Sequence, residues 1–215
     1  MPNSEVSWIS SSPRSQWKQN AIHSSHANES HLQFSEERFQ AIDGFGGCFN
    51  ELGWIALSKA EEATRRQVFD AFFDKKAGCR FNYCRTPIGA SDFAEQWYSY
   101  NEMDGDYQMA CFSIERDFKY LIPYIREALQ RNPEMTLFAS PWSPPTWMKI
   151  PKIYNGGSLR WEKENLKAYA LYFQKYIEAY RKAGIRIDQL HFQNEPCVQQ
   201  VFASCLWTGR QCWTP

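Results

Sequence analysis

Glu195 is the side chain in this sequence best placed to move a proton. It stands in the string HFQNEPC, residues 191–197, directly after the apolar-leaning run 185–192. That run reads as a β-strand, so Asn194 and Glu195 fall at its C-terminal end. In α/β sheets, open or closed, that end is where ligands bind and chemistry is done. A carboxyl group tuned upward by burial can protonate a leaving oxygen near neutral pH, and Glu195 is the candidate for that role. The bland alternative is an Asn-Glu-Pro turn whose carboxylate only accepts backbone hydrogen bonds. Asn194 either donates to a substrate hydroxyl or caps that turn. A carboxyl beside a carboxamide, in a chain with nine tryptophans and 16% aromatic residues, suggests sugar chemistry. Pyranose rings lay their C–H faces on indole.

Other strand ends supply further groups. Arg85 lies inside an apolar run, and arginine is seldom buried without a partner. It either neutralises a site carboxylate or pairs structurally with Asp43 or Asp92. Trp142 opens a proline-rich stretch and is either a sugar platform or core. Glu51 follows a glycine-rich segment and reads as a site carboxylate or a helix-side charge. A glycosidase normally needs two carboxyls across the scissile bond. Asp92 and Glu51 are poor nucleophile candidates, because neither sits at a well-defined strand end.

The elements that must position these residues alternate. Residues 39–49 read as a strand ending at Gly46-Gly47. Ser58 and Glu61 form a capping-box pattern for a helix carrying Leu57, Thr64, Val68 and Phe72 on one face. Residues 80–88 read as a second strand, stopped by Pro87 and Gly89. A long polar and aromatic connection follows, residues 90–112, of the kind that usually carries function. A helix from Ser113 buries Ile114, Phe118, Leu121, Ile122, Ile125 and Leu129, with a kink expected at Pro123. Residues 135–139 form a third strand. A helix over 162–182 turns Leu166, Tyr169, Phe173, Ile177 and Tyr180 inward, with Gly184 just past its end. The fourth strand is 185–192.

Four strand–helix steps, the fourth cut short, predict a parallel sheet with right-handed crossovers. Four strands in about 160 residues are near half of a closed eightfold barrel, which takes ~250. Residues 1–38 are polar and rich in Ser, Asn and His, with short edge strands expected at 6–10 and 31–34. His23, His26 and His31 read as part of a solvated loop rather than a metal cluster.

Bulk properties exclude several classes. Lys+Arg and Asp+Glu balance at 24 each, so no strong field draws in nucleic acid or an anionic membrane. No apolar run approaches the ~20 residues of a membrane span. The first 20 residues lack the basic-then-apolar pattern of an export signal; the compartment is unknown. The seven cysteines form no Cys-x-x-Cys pair and no zinc spacing. They read as free thiols, with a disulfide among Cys197, Cys205 and Cys212 as the alternative. Nothing calls for a metal or a cofactor.

Five strings, in order, resemble glycoside hydrolase family thirty, the group that includes acid β-glucosidase (glucosylceramidase). They are IDGFGGCFNELGW (42–54), CRTPIGASDF (84–93), WYSYNEMDGDY (97–107), SPWSPPTW (140–147) and QNEPC (193–197). The resemblance runs from about residue 39 to 213. It implies a (β/α)8 TIM barrel, here its N-terminal half over 39–215, with residues 1–38 belonging to a side β-domain. It implies a retaining β-glycosidase acting on a β-glycoside or glycolipid. Glu195 matches the acid/base, Asn194 its neighbour on the sugar 2-hydroxyl, Asp92 and Trp142 sugar-contacting positions, and Arg85 an arginine near the carboxylates. The family's nucleophile is a glutamate ending the seventh strand, and the resemblance places it beyond Pro215. The chain is therefore expected to need a missing C-terminal half, since a half-barrel exposes sheet edges and helix faces. A non-catalytic carbohydrate-binding half-barrel and an unstable fragment stand as alternatives. Among substrates, β-glucosides are favoured over β-1,6-glucan, β-xylosides and β-fucosides.

Overall fold

The computed structural model describes residues 7–22 and 35–213. The chain forms two compact units, residues 1–41 and 42–215. In the first, β1 (Trp8–Ser12) and β2 (Ser15–Asn20) make an antiparallel hairpin with an irregularity between Ser10 and Ser12. The polar run of β2 carries no strand pattern, so only the first arm was legible, two residues early. The strand expected at 31–34 and the three histidines His23, His26 and His31 lie outside the described residues.

The second unit opens with an extended segment, not the hydrogen-bonded strand expected over 39–49. It meets the next strand at one parallel bridge, Cys48 to Arg85, with Phe49 N–H donating to Arg85 O at 2.8 Å and Arg85 N–H to Gly47 O at 3.0 Å. Glycine is required here: a Cβ on Gly46 would lie 2.1 Å from Tyr83 O.

Asn50 then caps α1 (Glu51–Lys59), its side chain accepting from Gly53 N–H at 2.7 Å. A break at Ala60-Glu61 leads to α2 (Glu62–Phe73). The capping box at Ser58 does not form. Asn50 starts the helix two turns earlier, so Ser58 lies inside it and its hydroxyl donates back to Trp54 O. The buried face of α2 is Phe69 and Phe73, one residue round from the expected stripe, and Phe72 is exposed.

β3 (Tyr83–Ile88) follows, then the irregular 90–112 connection and one turn of 3₁₀ helix, Glu115–Phe118. α3 (Leu121–Arg131) starts eight residues later than expected. Pro123 therefore falls in its first turn, where its missing N–H costs nothing, and it makes no mid-helix kink. Leu121, Ile122, Ile125 and Ala128 are its buried stripe; Phe118 lies outside, 53% exposed. β4 (Thr136–Pro141) pairs parallel with β3 along its whole length. A small ribbon of β5 (Lys149–Ile150) and β6 (Ser158–Leu159) leads into α4 (Lys163–Lys182). Gly184, at φ +79°, follows α4 as expected. β7 is only Gln189–Leu190, parallel to β4, where an eight-residue strand was expected. α5 (Gly209–Trp213) ends the described chain.

The segments line up as 45–49, β3, β4, β7, all parallel and in sequence order. This is a partial barrel sheet. Its helix-side face, through Cys84, Leu137 and Ala139, packs into one core with Phe49, Phe69, Phe73, the α3 stripe and the tyrosines of α4. Among the described residues no helix is long and apolar enough to cross a membrane.

Asp117 lies wholly inside. The Asp117 carboxylate accepts hydrogen bonds from the hydroxyls of Tyr98 (3.1 Å), Tyr100 (2.6 Å) and Tyr180 (2.6 Å). It thereby ties the long connection to α4. Burial pushes its pKa up to about 6, against the three tyrosine hydrogen bonds, which pull it down. The folded state thus holds this proton more tightly than the unfolded chain, so the group's contribution to stability grows as pH falls from about 6 to about 4. Comparing wild type with Asp117→Asn by chemical unfolding, wild type gains roughly 2 kcal/mol relative to the variant between pH 7 and pH 4. A stability gap independent of pH would contradict the assignment.

Candidate active site

Alternation along β3 turns Cys84 toward the helices and Arg85 to the opposite face. From there the guanidinium reaches the C-terminal ends of two further strands. Its Nε donates to Ser140 Oγ at 2.9 Å, and one terminal nitrogen donates both to that hydroxyl and to Asn194 Oδ1, the latter at 2.8 Å. Its carbon lies 4.1 Å from the centre of the Trp142 ring, a cation–π contact. Among the described residues no carboxylate comes within ion-pair distance of Arg85, so the pairing expected with Asp43 or Asp92 does not form. Asp92 and Glu195 act on it at longer range. Burial lowers its pKa, and Cys48, Asp92 and Glu195 pull it back up.

Asn194 is held on two sides. Its backbone N–H donates to Pro141 O at 2.8 Å, and its amide oxygen is engaged by Arg85. The NH2 end is the one left to donate to a ligand. Buried Gln193 braces the turn by donating to Trp142 O at 2.7 Å and Asn194 O at 2.9 Å, while Trp207 Nε1 donates to Gln193 Oε1.

Glu195 has φ +44°, an uncommon conformation for a residue with a side chain. Its carboxylate is exposed, and Oε2 accepts from Gln200 Nε2 at 2.7 Å. Trp142 is only 4% exposed, packed with Ala90, Ala203 and the partly buried Phe202. With Arg85 over its ring, it stands as a wall of the rim rather than an open platform. Asp92 is exposed in the turn after β3. Arg85, Trp142 and Asn194 thus make direct contact, and Asp92 and Glu195 lie within electrostatic reach of the same guanidinium.

Glu51 belongs elsewhere. It is 2% exposed, takes a two-pronged bond from Arg116 (2.7 and 2.9 Å), and accepts the Glu95 N–H at 2.9 Å. These bonds hold the Arg116 guanidinium above its ordinary pKa. The Arg116 bonds fasten α1 to the 3₁₀ turn Glu115–Phe118, and the Glu95 bond fastens it to the 90–112 connection. The disulfide considered among Cys197, Cys205 and Cys212 is absent; all seven cysteines are free, and Cys205 is buried. Among the described residues no group of three or more His, Cys, Asp or Glu gathers to hold a metal. Ser140, Gln193 and Gln200 were not singled out from sequence. Gln193 and Gln200 flank Glu195 in sequence, but small polar residues near a strand end carry no pattern of their own.

Residues 42–207 match the family model described as the glycosyl hydrolase family 30 TIM-barrel domain. The chain is 38% identical over 165 residues to putative glucosylceramidase 3 of Caenorhabditis elegans, covering 75% of this chain and 31% of that protein. It is 34% identical over 166 residues to lysosomal acid glucosylceramidase of Mus musculus, covering 75% and 32%. A solved endo-β-1,6-glucanase superposes with a TM-score of 0.75 at 29% identity, over 81% of this chain and 39% of its own. The chain therefore spans about a third of the length of the curated relatives it matches.

Arg85→Lys tests the clamp. Lysine keeps the charge but lacks the fork needed to bond Ser140 and Asn194 together while lying on Trp142. Unfolding measurements are expected to show a loss of about 1–3 kcal/mol. An unchanged melting curve would mean that the clamp adds nothing to the fold.

Proposed function

Because this chain belongs to glycosyl hydrolase family 30, we propose that it contributes the acid/base half of a retaining β-glycosidase acting on β-linked glucosides, of the glucosylceramidase type. The observation that carries the reading is the Asn194–Glu195 pair beyond the end of β7, with Asn194 held by Arg85 and its NH2 end free to donate. In this reading Asn194 donates to a sugar hydroxyl beside the anomeric carbon. Asp92 accepts from hydroxyls further round the ring, and Trp142 walls the subsite.

Glu195 first gives its proton to the glycosidic oxygen. A second carboxylate, from sequence outside this chain, attacks the anomeric carbon, and the bond to the leaving alcohol breaks. Glu195, now a carboxylate, takes a proton from water as that water displaces the enzyme carboxylate. The sugar leaves with its configuration retained and Glu195 is again protonated.

A second substrate reading is β-1,6-glucan, supported by the likeness to an endo-β-1,6-glucanase. The 90–112 connection, with Trp97 and Tyr107 exposed, is the segment expected to decide between them. Assays of the full-length protein on an alkyl β-glucoside and on β-1,6-glucan separate the two; faster turnover of the glucan would overturn the glucoside reading. On the alkyl β-glucoside, Glu195→Gln is expected to lower kcat by ~10²–10⁴-fold, with a much smaller loss on an activated aryl β-glucoside. Equal rates for wild type and variant on the alkyl substrate would remove Glu195 from the role.

A further inference from the structure

Lys149, at the start of β5, is fully buried, yet among the described residues its ammonium meets no carboxylate. Its three N–H donors go to three neutral oxygens: Ser143 Oγ at 2.7 Å, Tyr154 O at 3.0 Å and Ser204 O at 2.7 Å. Burying an unpaired charge is costly, and burial pulls its pKa down to about 8, with Cys205 and Glu102 acting the other way. A methionine would fill much the same space without that cost, so the ammonium's use is in what it holds. The three oxygens belong to the loop after β4, to the ribbon between β5 and β6, and to the segment that follows Glu195. At Ser204 the hydroxyl accepts the N–H groups of Gly156 (2.8 Å) and Gln200 (3.2 Å), and Gln200 in turn donates to the Glu195 carboxylate at 2.7 Å.

We propose that Lys149 is a positioning residue for Glu195: by gripping Ser204 it sets Gln200, and Gln200 sets the direction in which the carboxylate presents its proton. This rests on the acid/base reading of Glu195 given above. A misdirected acid slows only steps that need protonation, so the signature is selective for poor leaving groups.

The test uses the full-length protein and the variants Lys149→Met, Gln200→Leu, their double mutant and Glu195→Gln, each on an alkyl and on an activated aryl β-glucoside. The expected result is a loss of about 10- to 100-fold on the alkyl substrate for Lys149→Met and for Gln200→Leu, a several-fold smaller loss on the aryl substrate, and a double mutant no worse than the poorer single one. If Lys149→Met does not fold, Gln200→Leu and Ser204→Ala, which leave the lysine in place, carry the same comparison. Equal losses on both substrates, or losses that multiply in the double mutant, would overturn the role of Lys149 while Glu195→Gln still discriminates between leaving groups. If Glu195→Gln itself shows no discrimination, the acid/base reading fails and takes this inference with it.

Discussion

The rim depends on one guanidinium. Arg85 starts from the middle of β3, bonds Ser140 at the end of β4 and Asn194 beyond β7, and lies on the face of Trp142. Parallel strands are joined only through long crossovers, so their ends have no short local link to hold them in mutual register. A single rigid fork of donors, matched to a hydroxyl, an amide oxygen and an aromatic face, supplies that link. It does so without a contacting carboxylate, which leaves Asp92 and Glu195 uncommitted to an ion pair with it. A direct salt bridge from Arg85 would have neutralised the groups the site needs.

The two faces of the sheet are built on different terms. On the helix side the contacts are apolar and aromatic, and the buried carboxylate of Asp117 is enclosed by tyrosine hydroxyls. On the rim side, loops are tied by polar bonds between distant segments. Glu102 accepts from Thr146 N–H, and Trp147 Nε1 donates to Asn101 O at 3.0 Å, which joins the 90–112 connection to the loop after β4. Lys149 joins that loop to the chain beyond Glu195. Long irregular segments become well-placed walls when buried polar groups find partners this way.

The sequence pattern revealed β3, β4, α4 and the order of the parallel sheet, because apolar runs ending at proline or glycine are local signals. It misjudged elements whose limits are set by neighbours. The glycines that suggested the end of a strand over 39–49 instead allow one close backbone crossing at Gly46. Ser58 and Glu61 match a capping pattern, yet Asn50 caps first. The run 185–192 is apolar enough for a strand, but only two of its residues find ladder partners on β4. As candidates, Arg85, Trp142, Asn194 and Glu195 were legible through their places in or just after expected strands, and Asp92 through family resemblance. Their connections were not. Arg85 meets Ser140 and Asn194 at separations of 55 and 109 residues, and Glu51 meets Arg116 at 65. No local pattern encodes such pairs, and nothing beside Lys149 in the sequence marks it as buried.

The central claim is that the Glu195 carboxylate faces the bound sugar from the side on which water enters. Chemical rescue measures this most directly. In the full-length protein with Glu195→Ala and an activated aryl β-glucoside, azide is predicted to occupy the space left by the carboxylate, raise turnover, and yield the β-glucosyl azide. No acceleration by azide, or an azide product of the α configuration, would contradict the account.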